Sequence, residues 1–203
     1  MKIALPARPE PIEIDREQTA VLLVDMQNAF ASTGGMLDLA GIDVKPAAAA
    51  VANARVVVDA ARDANVPVIY LVMGYPPDQS TAGGDDSPNP RKEIALCLMR
   101  ERPELRGKLL TIGTWDFQIV DALAPARSDP VITKSRYNGF AGTPLDAAAS
   151  QPRHPHAVDG WDRIQRVRRI DTARRLLPRV LAGDDRGCDH AGRVARDTAR
   201  DRL

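Results

Sequence analysis

Short apolar runs punctuated by turn-forming segments set the plan of this chain. The first run, Ala20-Val21-Leu22-Leu23-Val24, has no polar break and predicts a strand buried on both faces. It stops at Asp25. In an open α/β sheet the carboxyl ends of the strands form the ligand crevice, so Asp25 stands where chemistry is usually done; an Asp that only caps the next turn is the alternative. Pro46, ahead of the alanines at 47–50, opens a helix reaching about Asn65, with Val51, Val56, Val57, Val58 and Ala61 as its apolar face. Val66 to Met73 predicts a second strand with Pro67 at its entrance. Strand, helix, strand is a parallel βαβ unit with a right-handed crossover. Helices are predicted over 92–101 and 115–123, and a further strand over Asp129–Lys134 that again ends on a charge. Residues 1–18 read as an extended leader, Gly34–Gly41 as a loop over the crevice mouth, and Gly74–Pro90 as a long binding loop or lid.

Composition narrows the function classes. The 203 residues suit one well-buried domain, and a net charge of +1 argues against nucleic acid or an anionic membrane as partner. No apolar run is long enough to span a bilayer, and residues 1–6 carry no signal-peptide core. Two cysteines, Cys97 and Cys188, suit a reducing compartment, so a cytoplasmic protein is expected. Cys97, among Ile94, Leu96 and Leu98, reads as a small buried hydrophobe.

The averages hide a break. All three histidines and 13 of the 23 arginines lie after residue 150, whereas no Lys, Glu, Phe, Tyr or Met does. Two compositions therefore meet near Asp146–Arg153, dividing the chain into residues 1–146 and an Arg/Asp-rich tail over 147–203.

Asp25 and Lys134, each ending a predicted strand, are expected to converge on one crevice. Such a pair is either a structural ion pair or a tuned acid/base couple. As a couple it lacks a nucleophile, and it suits a thiol: the carboxylate accepts the proton and the ammonium favours the thiolate.

Several further segments carry a resemblance. They are Val24-Asp25-Met26-Gln27-Asn28-Ala29-Phe30, Gly35-Met36-Leu37-Asp38-Leu39-Ala40-Gly41, Ser87-Pro88-Asn89, Gly107-Lys108-Leu109-Leu110 and Gly113-Thr114-Trp115-Asp116. Lys134-Ser135-Arg136-Tyr137-Asn138-Gly139-Phe140 and Thr143-Pro144-Leu145-Asp146 complete the set. In this order they resemble the isochorismatase-like cysteine hydrolases, and within them the branch that hydrolyses ureidoacrylate in pyrimidine degradation. The resemblance covers about residues 19–146. It implies a three-layer α/β/α fold with a mostly parallel, Rossmann-like sheet, and a Cys-Asp-Lys triad with Asp25 as base and Lys134 as its cationic partner. It also implies Asn89, Tyr137 and Phe30 as substrate-facing (a loop-holding amide and a half-buried aromatic are the alternatives for the first two), a small-molecule substrate, and no metal or cofactor, with homo-oligomerisation left open. Trp115 reads as core. Met73 stands where the family tends to carry Asn. The metal-dependent nicotinamidase branch needs an Asp/His ligand set after the second strand, and no His precedes residue 154.

The tail departs from this pattern. Counting on from Asp146, the family's nucleophilic Cys falls at Val167, and no later segment reads as the missing strands, so the sheet is expected to be incomplete, with an uncovered edge. Cys188 has His190 nearby but no strand before it. Codons for His154 to Asp171, read from the second base of each, allow Ala-Gly-Ile-Ala-Ser-Asn-Val-Cys-Val-Glu-Ser, the family's Cys elbow. A one-base frameshift between Leu145 and His154 is therefore the expectation. The functional readings are an amidohydrolase of small ureido or carbamoyl acids, a catalytically dead frameshifted relative or pseudoenzyme, or an isochorismatase-type hydrolase of another small substrate. A basic nucleic-acid arm is disfavoured, because eight Asp residues offset most of the tail's arginines.

Overall fold

A computed structural model of the chain describes residues 2–6, 9–84 and 86–149, together with the backbone of 168–170. Uninterrupted apolar runs become the strands of a parallel sheet: β3 (Val21–Val24), β4 (Val68–Met73) and β5 (Val131–Lys134), after a ribbon formed by β1 (Lys2–Leu5) and β2 (Ile12–Asp15). β4 lies between β3 and β5, and all six of its residues are buried, which is why its sequence shows no polar alternation. Val24 pairs with Leu71 and Met73 with Lys134, so the ends of β3 and β5 flank the end of β4.

Successive side chains of a strand face opposite ways. Leu23, Val68 and Tyr70 therefore pack with Ala54, Val58 and Ala61 of α3 (Ala47–Asp63), while Leu22, Val24, Ile69 and Leu71 pack with Ile132 and Leu145. Leu145 opens α6 (Leu145–Ala149), so helices lie on both faces and the α/β reading holds. A third cluster joins the segment after β3 to α5 (Ile94–Glu101). It contains Ala29 of α1 (Asn28–Ala31), Met36 and Leu37 of α2 (Met36–Leu39), Tyr75, Leu96 and Leu110. The loop after β4 runs into α4 (Asn89–Lys92).

Several expectations differ from the structure. Residues 1–18 are not simply extended, because β1 and β2 pair antiparallel from Lys2↔Asp15 to Leu5↔Ile12. Gly34–Gly41 is not loop throughout: it contains α2, whose Met36 and Leu37 are core. Val56 is 68% exposed, since the stripe through Ala54, Val58 and Ala61 turns it outward. No helix spans 115–123, only a short 3-10 turn at Asp121–Leu123. The backbone there is bonded across to another segment: Asn28 N–H donates to Gln118 O, Ala29 N–H to Asp116 O, and Val120 N–H to Met26 O. Trp115 is 50% exposed and contributes only its carbonyl, which accepts from Asn28 Nδ2 at 3.0 Å.

A further difference lies at the sheet edge. β6 (Arg168–Ile170) pairs parallel with β3, Val21 opposite Arg168 and Leu23 opposite Ile170. Backbone pairing asks only for an extended segment, whatever its apolar pattern, and that pattern was the sole signal in the sequence. The rest of the tail from residue 150 on, with Val167 and Cys188, lies outside the described residues.

Candidate active site

The site begins where β3 leaves the sheet. Asp25 N–H donates to Leu71 O at 2.8 Å, the last main-chain rung between β3 and β4, and Asp25 then adopts φ +57°. A left-handed conformation is uncommon for residues other than glycine and best tolerated by Asn and Asp. The turn lifts the carboxylate off the sheet's carboxyl edge. Lys134, at the matching end of β5, sends its Nζ back across β4 to within 3.0 Å of Asp25 Oδ2.

The two partners differ in exposure. Lys134's side chain is 2% exposed and Asp25's 17%, so the ammonium depends almost wholly on protein groups for its solvation. Met73 Sδ lies 3.9 Å from the same Nζ, giving one side of the ammonium a thioether rather than an amide. A carboxylate fixed by a buried cation can accept a proton from an adjacent acid, and the cation stabilises the anion left behind.

The remaining sequence candidates fall into two groups. Tyr137 is half exposed, and its hydroxyl donates to the Glu93 carboxylate, 2.8 Å from Oε1 and 2.9 Å from Oε2. Burial and then the Glu93 charge push its pKa above the ordinary phenol range. Lys92 Nζ lies 5.7 Å from the Tyr137 ring centre. The loop after β5 is thus tied to the start of α5, next to Asn89, whose N–H bonds Ser87 Oγ at 3.3 Å. Phe30 packs instead against the third core cluster, the one that holds Met73. Among the described residues no group of three His, Cys, Asp or Glu side chains is placed to hold a metal ion. No described helix is long and apolar enough to cross a membrane. Cys97 is buried on α5.

Sequence reasoning missed two supporting side chains. Gln27, fully buried, bonds both backbone groups of Met73 and the carbonyl of Phe117. Asp116 accepts from Met36 N–H at 2.8 Å and Leu110 N–H at 2.7 Å. Gln27 has Asp25 and Asn28 beside it, and Asp116 has Thr114 and Gln118, so no apolar pattern singles either out; their only signal was their place in segments that carried the resemblance.

The chain resembles known proteins in sequence and in fold. The sequence profile of the isochorismatase domain matches residues 19–155. The "Ureidoacrylate amidohydrolase RutB" of Rhizobium rhizogenes is 50% identical over 145 residues, 71% of this chain and 59% of that protein. The protein of that name from Cronobacter turicensis is 50% identical over 156 residues, 77% of this chain and 67% of its own length. The chain spans about six-tenths of the length of the first of these relatives. Among solved structures, a cysteine hydrolase from Pseudomonas syringae pv. phaseolicola has a TM-score of 0.50 and 29% identity, covering 67% of this chain and 55% of that one. An isochorismatase family protein from Desulfovibrio vulgaris matches at 0.50 and 26%, covering 65% and 60%.

Proposed function

The chain belongs to the isochorismatase family, and from that premise we propose that its fold is built for cysteine-type hydrolysis of a small ureido or carbamoyl acid such as ureidoacrylate. The observation that carries this reading is the 3.0 Å Asp25–Lys134 pair at the carboxyl edge of the sheet. The names of the RutB relatives support the substrate class. In the proposed chemistry a thiol gives its proton to Asp25 while Lys134 holds the carboxylate in place. The thiolate then forms a C–S bond to the ureido carbon. The C–N bond to the aminoacrylate breaks, and its nitrogen takes the proton back from Asp25. Water next cleaves the S-carbamoyl intermediate to carbamate, which decays to carbon dioxide and ammonia. Asn89, Tyr137 and Phe30 are proposed to face the substrate.

A second reading has its own observation. The profile match ends at residue 155, and the position proposed for the nucleophile, Val167, is not a cysteine. Here the chain is a frameshifted, catalytically dead relative that keeps Asp25 and Lys134. Turnover of ureidoacrylate with and without a thiol alkylator separates the two. Alkylator-sensitive ammonia release supports the enzyme, and its absence in folded protein supports the dead relative.

A further inference from the structure

The β3–β4 ladder stops two rungs early. In the parallel register that sets Val24 against Leu71, Asp25 N–H donates to Leu71 O. The next two rungs would run from Met73 N–H to the carbonyl of residue 25, and from the N–H of residue 27 to Met73 O. Asp25 turns the main chain away before either forms. The Gln27 side chain supplies both. Its Oε1 accepts from Met73 N–H at 2.7 Å and its Nε2 donates to Met73 O at 2.9 Å. The second Nε2 hydrogen reaches Phe117 O at 2.7 Å, and the Phe117 ring lies against Gly74, where a Cβ would strike it.

On the other side of β4, Gly74 N–H donates to Lys134 O at 2.9 Å, and Lys134 Nζ returns to Asp25. Asp25, Gln27, Met73–Gly74 and Lys134 therefore form a closed ring. We propose that Gln27 is the positioning residue of the Asp25–Lys134 pair: its amide replaces the ladder groups that β3 withdraws, and so fixes the end of β4 and, through it, Lys134. An apolar side chain would leave buried backbone groups of Met73 and Phe117 without partners. A side chain one methylene shorter would not reach both groups of Met73. The functional meaning rests on Asp25–Lys134 being the working pair, but the test reads the pair itself, not hydrolysis. A chain that turns nothing over can still confirm or refute it.

The test is amine-selective labelling of the full chain, with Lys134 read against exposed Lys45 by peptide mass spectrometry. Gln27→Glu is the informative change. Ionised, the new carboxylate cannot donate to Met73 O or Phe117 O; protonated, it regains one donor. The Lys134/Lys45 ratio is expected to rise about tenfold above neutral pH, the scale of one buried hydrogen bond lost. It should return towards the parent value as pH falls. Gln27→Asn is expected to raise the ratio without that pH dependence, which keeps the test decisive if Gln27→Glu unfolds at high pH. Val58→Ala, which loosens α3 away from the ring, should leave the ratio unchanged. Ratios in both Gln27 variants that match the parent, or an equal rise in Val58→Ala, would overturn the proposal.

Discussion

A carboxylate and an ammonium that touch do not contribute equally when one is removed. Lys134 is the more deeply buried, so neutralising Asp25 strands a positive charge in a nearly dry site, whereas removing Lys134 leaves a carboxylate with some solvent access. Asn also tolerates the left-handed backbone at position 25, so Asp25→Asn changes charge with little backbone penalty. Asp25→Asn is expected to cost about 3 kcal/mol or more, and Lys134→Met distinctly less. Urea unfolding of the two variants measures this, and the reverse order would mean that the carboxylate carries the larger desolvation burden. Met73 belongs to the same scale: its thioether offers Lys134 no hydrogen-bond acceptor comparable to an amide, so Asp25 is the stronger acceptor on this side of the site.

Short elements here are held by distant residues, and that decided what the sequence disclosed. β3, β4 and β5 were readable because each is a run of apolar residues, and α3 because a proline and an alanine run open it. α2 was not, since four residues carry no periodicity; its first N–H is bonded by Asp116, 80 positions away. The segment 115–123 has a helical apolar pattern, but its backbone groups are taken by residues 26–29. Asp116→Asn tests this long-range cap. An amide has one acceptor oxygen and an NH₂ group that cannot accept, so Met36 or Leu110 N–H loses its partner, at about 1–3 kcal/mol. Burial favours the neutral carboxyl more than the two N–H donors favour the anion, so folded Asp116 titrates above its ordinary 3.8. A raised carboxyl pKa gives its largest contribution to stability at low pH and loses it as pH rises from 3.8 through the folded value. The stability gap between parent and Asp116→Asn is therefore expected to narrow over that window, read from unfolding curves at stepped pH. A widening gap would mean that the amide donors outweigh burial.

At the scale of the molecule, the half of the site that was readable is the half that ends strands. Asp25 and Lys134 were visible because charges stopped apolar runs, whereas Gln27 was hidden because a polar residue just past a strand looks like a turn. β6 was hidden for a related reason: main-chain pairing leaves no side-chain pattern. Its register bears on the nucleophile. β6 begins level with Val21 and runs parallel to β3, so its first residue, Arg168, stands at the end of the sheet away from Asp25. The residue that immediately follows Val167 in the chain is therefore not at the carboxyl edge. We propose that a frame shifted by one base accounts for the valine at the position proposed for the nucleophile and for the profile match that stops at residue 155. Reading the nucleotides across the codons for Asp146 to Val167 is expected to reveal a one-base change whose reversal encodes Asn-Val-Cys-Val-Glu. The reverted polypeptide should hydrolyse ureidoacrylate and lose that activity to a thiol alkylator, while the chain as it stands should not turn it over. An intact frame with alkylator-sensitive turnover would overturn this account.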